Sequence, residues 1–144
     1  LKGQQVHATH TAHFDARAHA LVAQYDQYES LPGEHVQGAL VQGEAIADLA
    51  GLEIALAAYC HVMDGDTHSI DGFSAMQRFF IAYAQMWRAT YRSDYLRTLL
   101  RTDAHPPAST RALTVRNLDA WYDAFDVGAG SRLYLAPAQR VEFW

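Results

Sequence analysis

"VQGEAIADLAG", from Val41 to Gly51, sets two carboxylates, Glu44 and Asp48, four residues apart inside an almost wholly apolar stretch. On a helix that spacing puts both on one face, about one turn apart. Like charges so placed repel each other, and burying them unpaired is costly. A compensating cation resolves the conflict. One solution is a metal, with Glu44 as an oxygen ligand and Asp48 behind it, holding a histidine ligand by its other ring nitrogen. The other is a polar stripe in solvent, or a pair neutralised by arginines. The spacing alone leaves both open.

The helix around this stretch runs from Gln42 to about Met63, with few Gly and no Pro. Ile46, Leu49, Ala50, Leu52, Ile54, Ala55, Leu56 and Tyr59 leave few polar positions, which marks a central helix. Upstream, Phe14, Ala18, Leu21, Val22 and Tyr25 recur at helical spacing and predict an amphipathic helix over 11–30. Residues 1–13 read as frayed terminus. "LPGEHVQG" (31–38) reads as a loop and "DGDTHSIDG" (64–72) as a polar turn. A third helical pattern covers 73–101, with a break near Ser93, which could cap a following turn. Pro106 and Pro107 exclude helix from 103–110. A short helix follows over 115–125, then an irregular aromatic tail that packs back on the body. Strand signals are weak, so the fold class is all-α, in a single domain over 1–144.

The chain has 144 residues, enough for one domain with a real core. Its net charge of −5 carries no electrostatic footprint for nucleic acid. No apolar run approaches the roughly 18 residues of a spanning helix, and no membrane segment is expected. The start, "LKGQQVHATH", lacks the apolar core of a signal peptide, and its lack of Met suggests a truncated or processed N-terminus. The single Cys60 cannot form an internal disulfide, and its neighbours "LAAY" and "HV" read as those of an inert buried thiol.

Other residues could carry chemistry. His7, His10 and His13 are spaced three apart, which suits metal chelation on a helix, or a solvated histidine stretch. His105 lies two residues after Asp103 and six before Arg111. A histidine with an acid beside it is an orienting pair. His105 and Arg111 could point into one cleft and stabilise negative charge or grip a carbonyl, or the segment is an ordinary surface loop. Arg88, Arg92, Arg97 and Arg101 suit ion pairing. Tyr83, Trp87, Tyr91 and Tyr95, four apart, read as core. H-E-x-x-H, P-loop, G-x-G-x-x-G, G-x-S-x-G and Cys-x-x-Cys signatures are all absent, as is Glu-x-x-His.

Three blocks in order resemble one family. "GEAIADLAGL" is similar to the Gly-Glu-Asn-Ile-Ala-Asp motif of the neprilysin-like zinc metallopeptidases, family M13. "FFIAYAQMWRATYRSDYLRTLLRTDAHPPASTR" resembles the family's aromatic-Ala-Gln-x-Trp block and Thr-Asp-x-His loop. "NLDAWYDAFDVGAGSRLYLAPAQRVEFW" resembles its closing segment, down to Trp144. The resemblance covers about Phe14 to the end. It implies the C-terminal helical part of a thermolysin-like catalytic domain that cleaves oligopeptides with a zinc-bound water. Glu44 would be the third zinc ligand and Asp48 the acid that orients a ligand histidine. His105, oriented by Asp103, would stabilise the oxyanion, and Arg111 would hold a substrate carbonyl. Ala45 stands where the family usually has Asn, so one substrate-backbone contact would be lost.

The same resemblance puts H-E-x-x-H, with two zinc ligands and the general base, upstream of Phe14, where this sequence lacks it. The chain by itself is then expected to be inactive. Its partners would be peptide substrates, the missing N-terminal part of the domain, and another copy through an exposed cut face. Family habit and the lone Cys60 suggest a bacterial parent at the periplasm or cell surface. The rival reading is a non-catalytic helical module that binds a peptide or partner. A third possibility has His7, His10 and His13 joining Glu44 in a makeshift metal site.

Overall fold

The computed structural model describes the backbone of residues 2–66 and 68–143, and the side chains of 11–66 and 68–143. Six α-helices dominate the described residues: α1 (Lys2–Asp26), α2 (Gly38–Val62), α3 (Ala75–Met86), α4 (Ser93–Thr102), α5 (Ala108–Arg111) and α6 (Asp119–Phe125). A 3-10 helix, Ala112–Asn117, joins α5 to α6. The expected frayed stretch at 1–13 falls mostly on side chains outside the described residues, although the helical backbone of α1 is continuous from Lys2.

α1 and α2 pack side by side, and the reason for the tight approach is Gly38. Its N–H donates to Asp26 Oδ1 at 2.6 Å. A Cβ there would lie 2.2 Å from the Val22 carbonyl oxygen, a distance no side chain can occupy. The connection between them is a small hairpin, not the plain loop expected for 31–38. β1 (Glu29–Leu31) pairs antiparallel with β2 (Glu34–His35). Pro32 and Gly33 form its turn, with Gly33 at φ +74 as a type II turn requires. Glu29 Oε1 accepts from the Gly33 N–H at 2.6 Å.

The core lies where α1, α2, α3, α4, α6 and the tail converge. Leu21, Tyr25, Val41, Leu49, Phe80 and Trp121 are among its buried members. Val141 and Phe143 bring the tail back onto it, as the sequence suggested. Gln24 and Asn117 exchange two amide hydrogen bonds (2.8 and 2.9 Å) inside this core. Asn117 Oδ1 also accepts the Val141 N–H at 2.9 Å, so one buried pair ties α1, the 3-10 helix and the tail together.

The structure corrects several expectations. The third helical pattern breaks at Trp87, six residues before Ser93, and Ser93 begins α4 instead of capping it. α3 is started by a capping box, in which Ser74 and Gln77 exchange side-chain to backbone bonds. The diproline does not exclude helix after it. Pro107 caps α5 from outside, and its carbonyl accepts from the Thr110 and Arg111 N–H groups. Cys60 is exposed, not buried. Tyr95 is exposed as well, so the four aromatic residues do not all serve the core.

α2 is less enclosed than a central helix should be. Leu49 is fully buried and Leu52 nearly so, but Ile54 and Val62 are 63% and 78% exposed. An 18-residue window of α2 has mean hydropathy 1.4, so this helix is long and apolar enough to cross a membrane by length and composition. That corrects the expectation that no run approaches such a span. Three acids, Glu44, Asp48 and Glu53, lie along it, and one side of it packs against α1. Leu49→Ala should cost about 2–5 kcal/mol of stability, measured by chemical denaturation, because the site cannot collapse around the lost methyls. Ile54→Ala should change stability far less.

Candidate functional site

The acids of α2 meet the α4–α5 loop and α5. Asp103, the residue that ends α4, makes the loop's shape. Its Oδ1 accepts from the His105 backbone N–H at 2.9 Å and faces His105 Nδ1 at 2.8 Å. This local turn is what short acidic side chains favour, and it stops α4 from continuing. Pro106 and Pro107 are buried behind it, so the loop is seated while the His105 ring stays outside.

From that position His105 Nε2 reaches to 3.7 Å from Glu44 Oε2. α5 then delivers Arg111 to the same place. Its Nε and Nη2 donate to Asp48 Oδ2 and Oδ1 at 2.7 and 2.5 Å, a two-pronged pair. Nη2 also lies 3.5 Å from Glu44 Oε2. The structure therefore brings Glu44, Asp48, Asp103, His105 and Arg111 into one continuous cluster. Ala45 is separate from it, buried in the core, where its methyl offers no polar group.

The two acids of α2 differ sharply in surroundings. The Asp48 side chain is 9% exposed and has both oxygens engaged. Glu44 is 38% exposed and, among the described residues, has only the two longer contacts. Asp48 holds the Arg111 guanidinium firmly in its charged state, with burial opposing and Glu44 helping. The Asp103 carboxyl is held below the ordinary aspartate range, first by the His105 backbone N–H and then by its ring.

Arg111 has further support. The Trp87 ring lies under its guanidinium, 4.0 Å from the carbon centre, and the Tyr83 hydroxyl donates to its backbone carbonyl at 3.1 Å. Sequence reasoning missed both roles, because helical spacing of aromatic residues looks the same for core and for support. A cavity of about 200 Å3 beside His105 and Arg111 is lined by Trp87, Tyr91, Tyr95 and Leu99. Two larger ones, about 500 Å3 each, include none of the five clustered residues.

As a metal site the cluster is incomplete. Among the described residues no group of three His, Cys, Asp or Glu could hold an ion. Glu44 fits as one oxygen ligand, and His105 has its Nδ1 committed to Asp103. His13 is exposed on α1, while the side chains of His7 and His10 lie outside the described residues. Of the four arginines expected to form ion pairs, Arg97 does so, with Glu34 and Asp94.

Fold and site together define a helical part of a metallopeptidase catalytic domain. The chain belongs to peptidase family M13, whose sequence pattern matches residues 2–141. It is 32% identical over 132 residues to the neutral endopeptidase of Lactococcus lactis subsp. cremoris, covering 91% of this chain and 20% of that protein. It is 30% identical over 140 residues to human neprilysin, covering 92% and 18%. The crystal structure of the Mycobacterium tuberculosis zinc metalloprotease ZMP1 with an inhibitor superposes with a TM-score of 0.86 at 43% identity. That match covers 91% of this chain and 21% of that one. The chain thus spans about a fifth of the length of the relatives it matches.

Two outcomes follow from the geometry. Arg111→Leu leaves Asp48 buried and unpaired, and should cost about 3–5 kcal/mol in chemical denaturation. Asp103 has a lowered folded value, so its contribution is present above the unfolded value and is lost as pH falls through the folded one. Carbon-detected NMR of its carboxyl should give a midpoint below that of an aspartate in a short peptide. His105→Ala should raise that midpoint only in part, because the backbone N–H remains.

Proposed function

We propose that this chain is the C-terminal part of the catalytic domain of a zinc endopeptidase that hydrolyses oligopeptides. The observation that carries the reading is the meeting of Glu44, His105 and Arg111 at one half-exposed place, with His105 Nε2 and Arg111 Nη2 within 3.7 Å of the same carboxylate oxygen. Membership of the family and the short span along its relatives support it.

In this reading Glu44 is one zinc ligand, and the others, with the general base, come from residues outside this chain. Zinc, when bound, activates water and polarises the scissile carbonyl. The rest is work for this chain's side chains. Asp103 accepts from Nδ1 and fixes the His105 ring, so that the protonated imidazole donates from Nε2 to the oxyanion of the tetrahedral intermediate. Arg111 spends Nε and Nη2 on Asp48, and Nη1 has no acceptor among the described residues. That free edge holds a substrate carbonyl. Asp48 accepts Arg111 with both oxygens, and its remaining lone pairs orient a histidine ligand from outside the chain.

The groove between α2 and α3 supports a missing neighbour. It is about 430 Å3, nearly all apolar, and lined by Ala47, Gly51, Ala55, Phe79, Ala82 and Met86 beside Asp48. We assign it to the upstream part of the domain, with a second copy as the occupant when that part is lacking. We infer a periplasmic or cell-surface parent, a reading supported by the membrane named in a relative such as human membrane metallo-endopeptidase-like 1.

Zinc analysis of metal-loaded, desalted protein tests this. The 144-residue chain and its Glu44→Gln variant should both retain none. In the complete enzyme Glu44→Gln should lose zinc, and His105→Phe should keep it while lowering kcat about 10²- to 10³-fold. One tightly held zinc in the short chain, lost in Glu44→Gln, would overturn the division of ligands. His7, His10 and His13 would then be the residues to replace next.

A further inference from the structure

Arg111 is held more elaborately than an ion pair requires. Asp48 grips one edge of the guanidinium, and that alone leaves the plane free to rock about the paired edge. Trp87 removes this freedom by lying under the plane at 4.0 Å. The Arg111 side chain is only 16% exposed, so the cation is largely stripped of water and the ring contact counts for more. Tyr83 fixes the other end, its hydroxyl donating to the Arg111 carbonyl at 3.1 Å. The two aromatic side chains also brace each other edge to face, with centroids 6.3 Å apart and planes at 76°.

The indole N–H of Trp87 adds a second observation. It is buried and has no acceptor among the described residues. The Tyr83 hydroxyl interacts with the indole without giving it a well-formed hydrogen bond, so the indole is aimed chiefly by its ring faces and edges. A buried donor so weakly satisfied is a liability that plain core packing would avoid. Trp87 is the residue that ends α3, and its ring meets α5 at the Arg111 guanidinium.

We propose that Trp87 and Tyr83 are positioning residues for Arg111, which together present its unpaired edge to the substrate carbonyl. Trp87 sets the plane of the guanidinium, and Tyr83 sets the depth at which α5 carries it. This rests on the reading of Arg111 as the carbonyl-binding group.

The test is the side-chain Nε–H signal of Arg111 in the 144-residue chain by nitrogen-15 NMR, assigned by its loss in Arg111→Lys. Trp87→Leu should speed its exchange with water about tenfold and remove its ring-current shift, the size of a desolvated cation–π contact. Trp87→Phe keeps an aromatic face and should stay within about twofold of the parent, because no indole hydrogen bond is lost. Tyr83→Phe removes only the hydroxyl and should speed exchange about threefold, in keeping with one lost neutral hydrogen bond. If Trp87→Leu fails to fold, Tyr83→Phe still decides. Unchanged exchange and ring-current shift in Trp87→Leu, or unchanged exchange in Tyr83→Phe, would overturn the proposal. This readout needs neither metal nor substrate, so it stands or falls apart from the peptidase reading. In the complete enzyme Trp87→Leu should raise KM for peptides more than it lowers kcat, with Trp87→Phe restoring KM. A loosened Arg111 with unchanged KM would overturn the substrate half.

Discussion

The paired Arg111 and Asp48 side chains are the constraint around which the rest of this structure is arranged. Asp48 sits on the most apolar helix of the molecule, one residue before the fully buried Leu49. A carboxylate there is tolerable only with a cation held in register. The cation comes from 63 residues further along the chain, so the intervening elements must deliver it accurately. α3 supplies Trp87 and Tyr83 around it. α4 is stopped by the Asp103 turn, and the diproline aims α5 back at α2. The 3-10 helix and the Gln24–Asn117 amide pair then lock this return to α1.

Much of this was legible in the sequence, and what was not has physical causes. Glu44 and Asp48 could be placed on one face because helical spacing is strictly geometric. Their different fates could not, because burial depends on what lies across from them. The pairing with an arginine was one of the neutral alternatives, yet nothing local distinguishes Arg111 from Arg88 or Arg101. The helix at 108–111 was missed because proline was read as a breaker on both sides, when it restricts only what precedes it. The break at Trp87 carries no Gly or Pro, so no residue announces it. The exposure of Cys60 was missed for the reason that α2 looked central. Apolar neighbours in sequence were taken for apolar neighbours in space.

That last error is informative. α2 has the composition of a buried helix and the surroundings of a half-covered one. Composition records the environment in which a helix works, and burial here records only the neighbours within this chain. The mismatch is largest along the α2–α3 groove, next to Asp48 and Trp87. An apolar surface of this kind beside a charged cluster suits a packing partner, as in the proposed reading.

The pair of acids in "VQGEAIADLAG" then has a physical division of labour. Asp48 is buried and gives both oxygens to Arg111, so any further partner must share them. Glu44, one turn earlier, is half exposed and, among the described residues, touched only at 3.5 and 3.7 Å, distances too long for committed hydrogen bonds. Both of its neighbours are nitrogen donors, and at these distances they touch the carboxylate without saturating it. Glu44 thus keeps a half-exposed carboxylate that its described neighbours hold only lightly. The neighbouring acid makes that possible by fixing Arg111, which would otherwise be free to close on Glu44 and neutralise it.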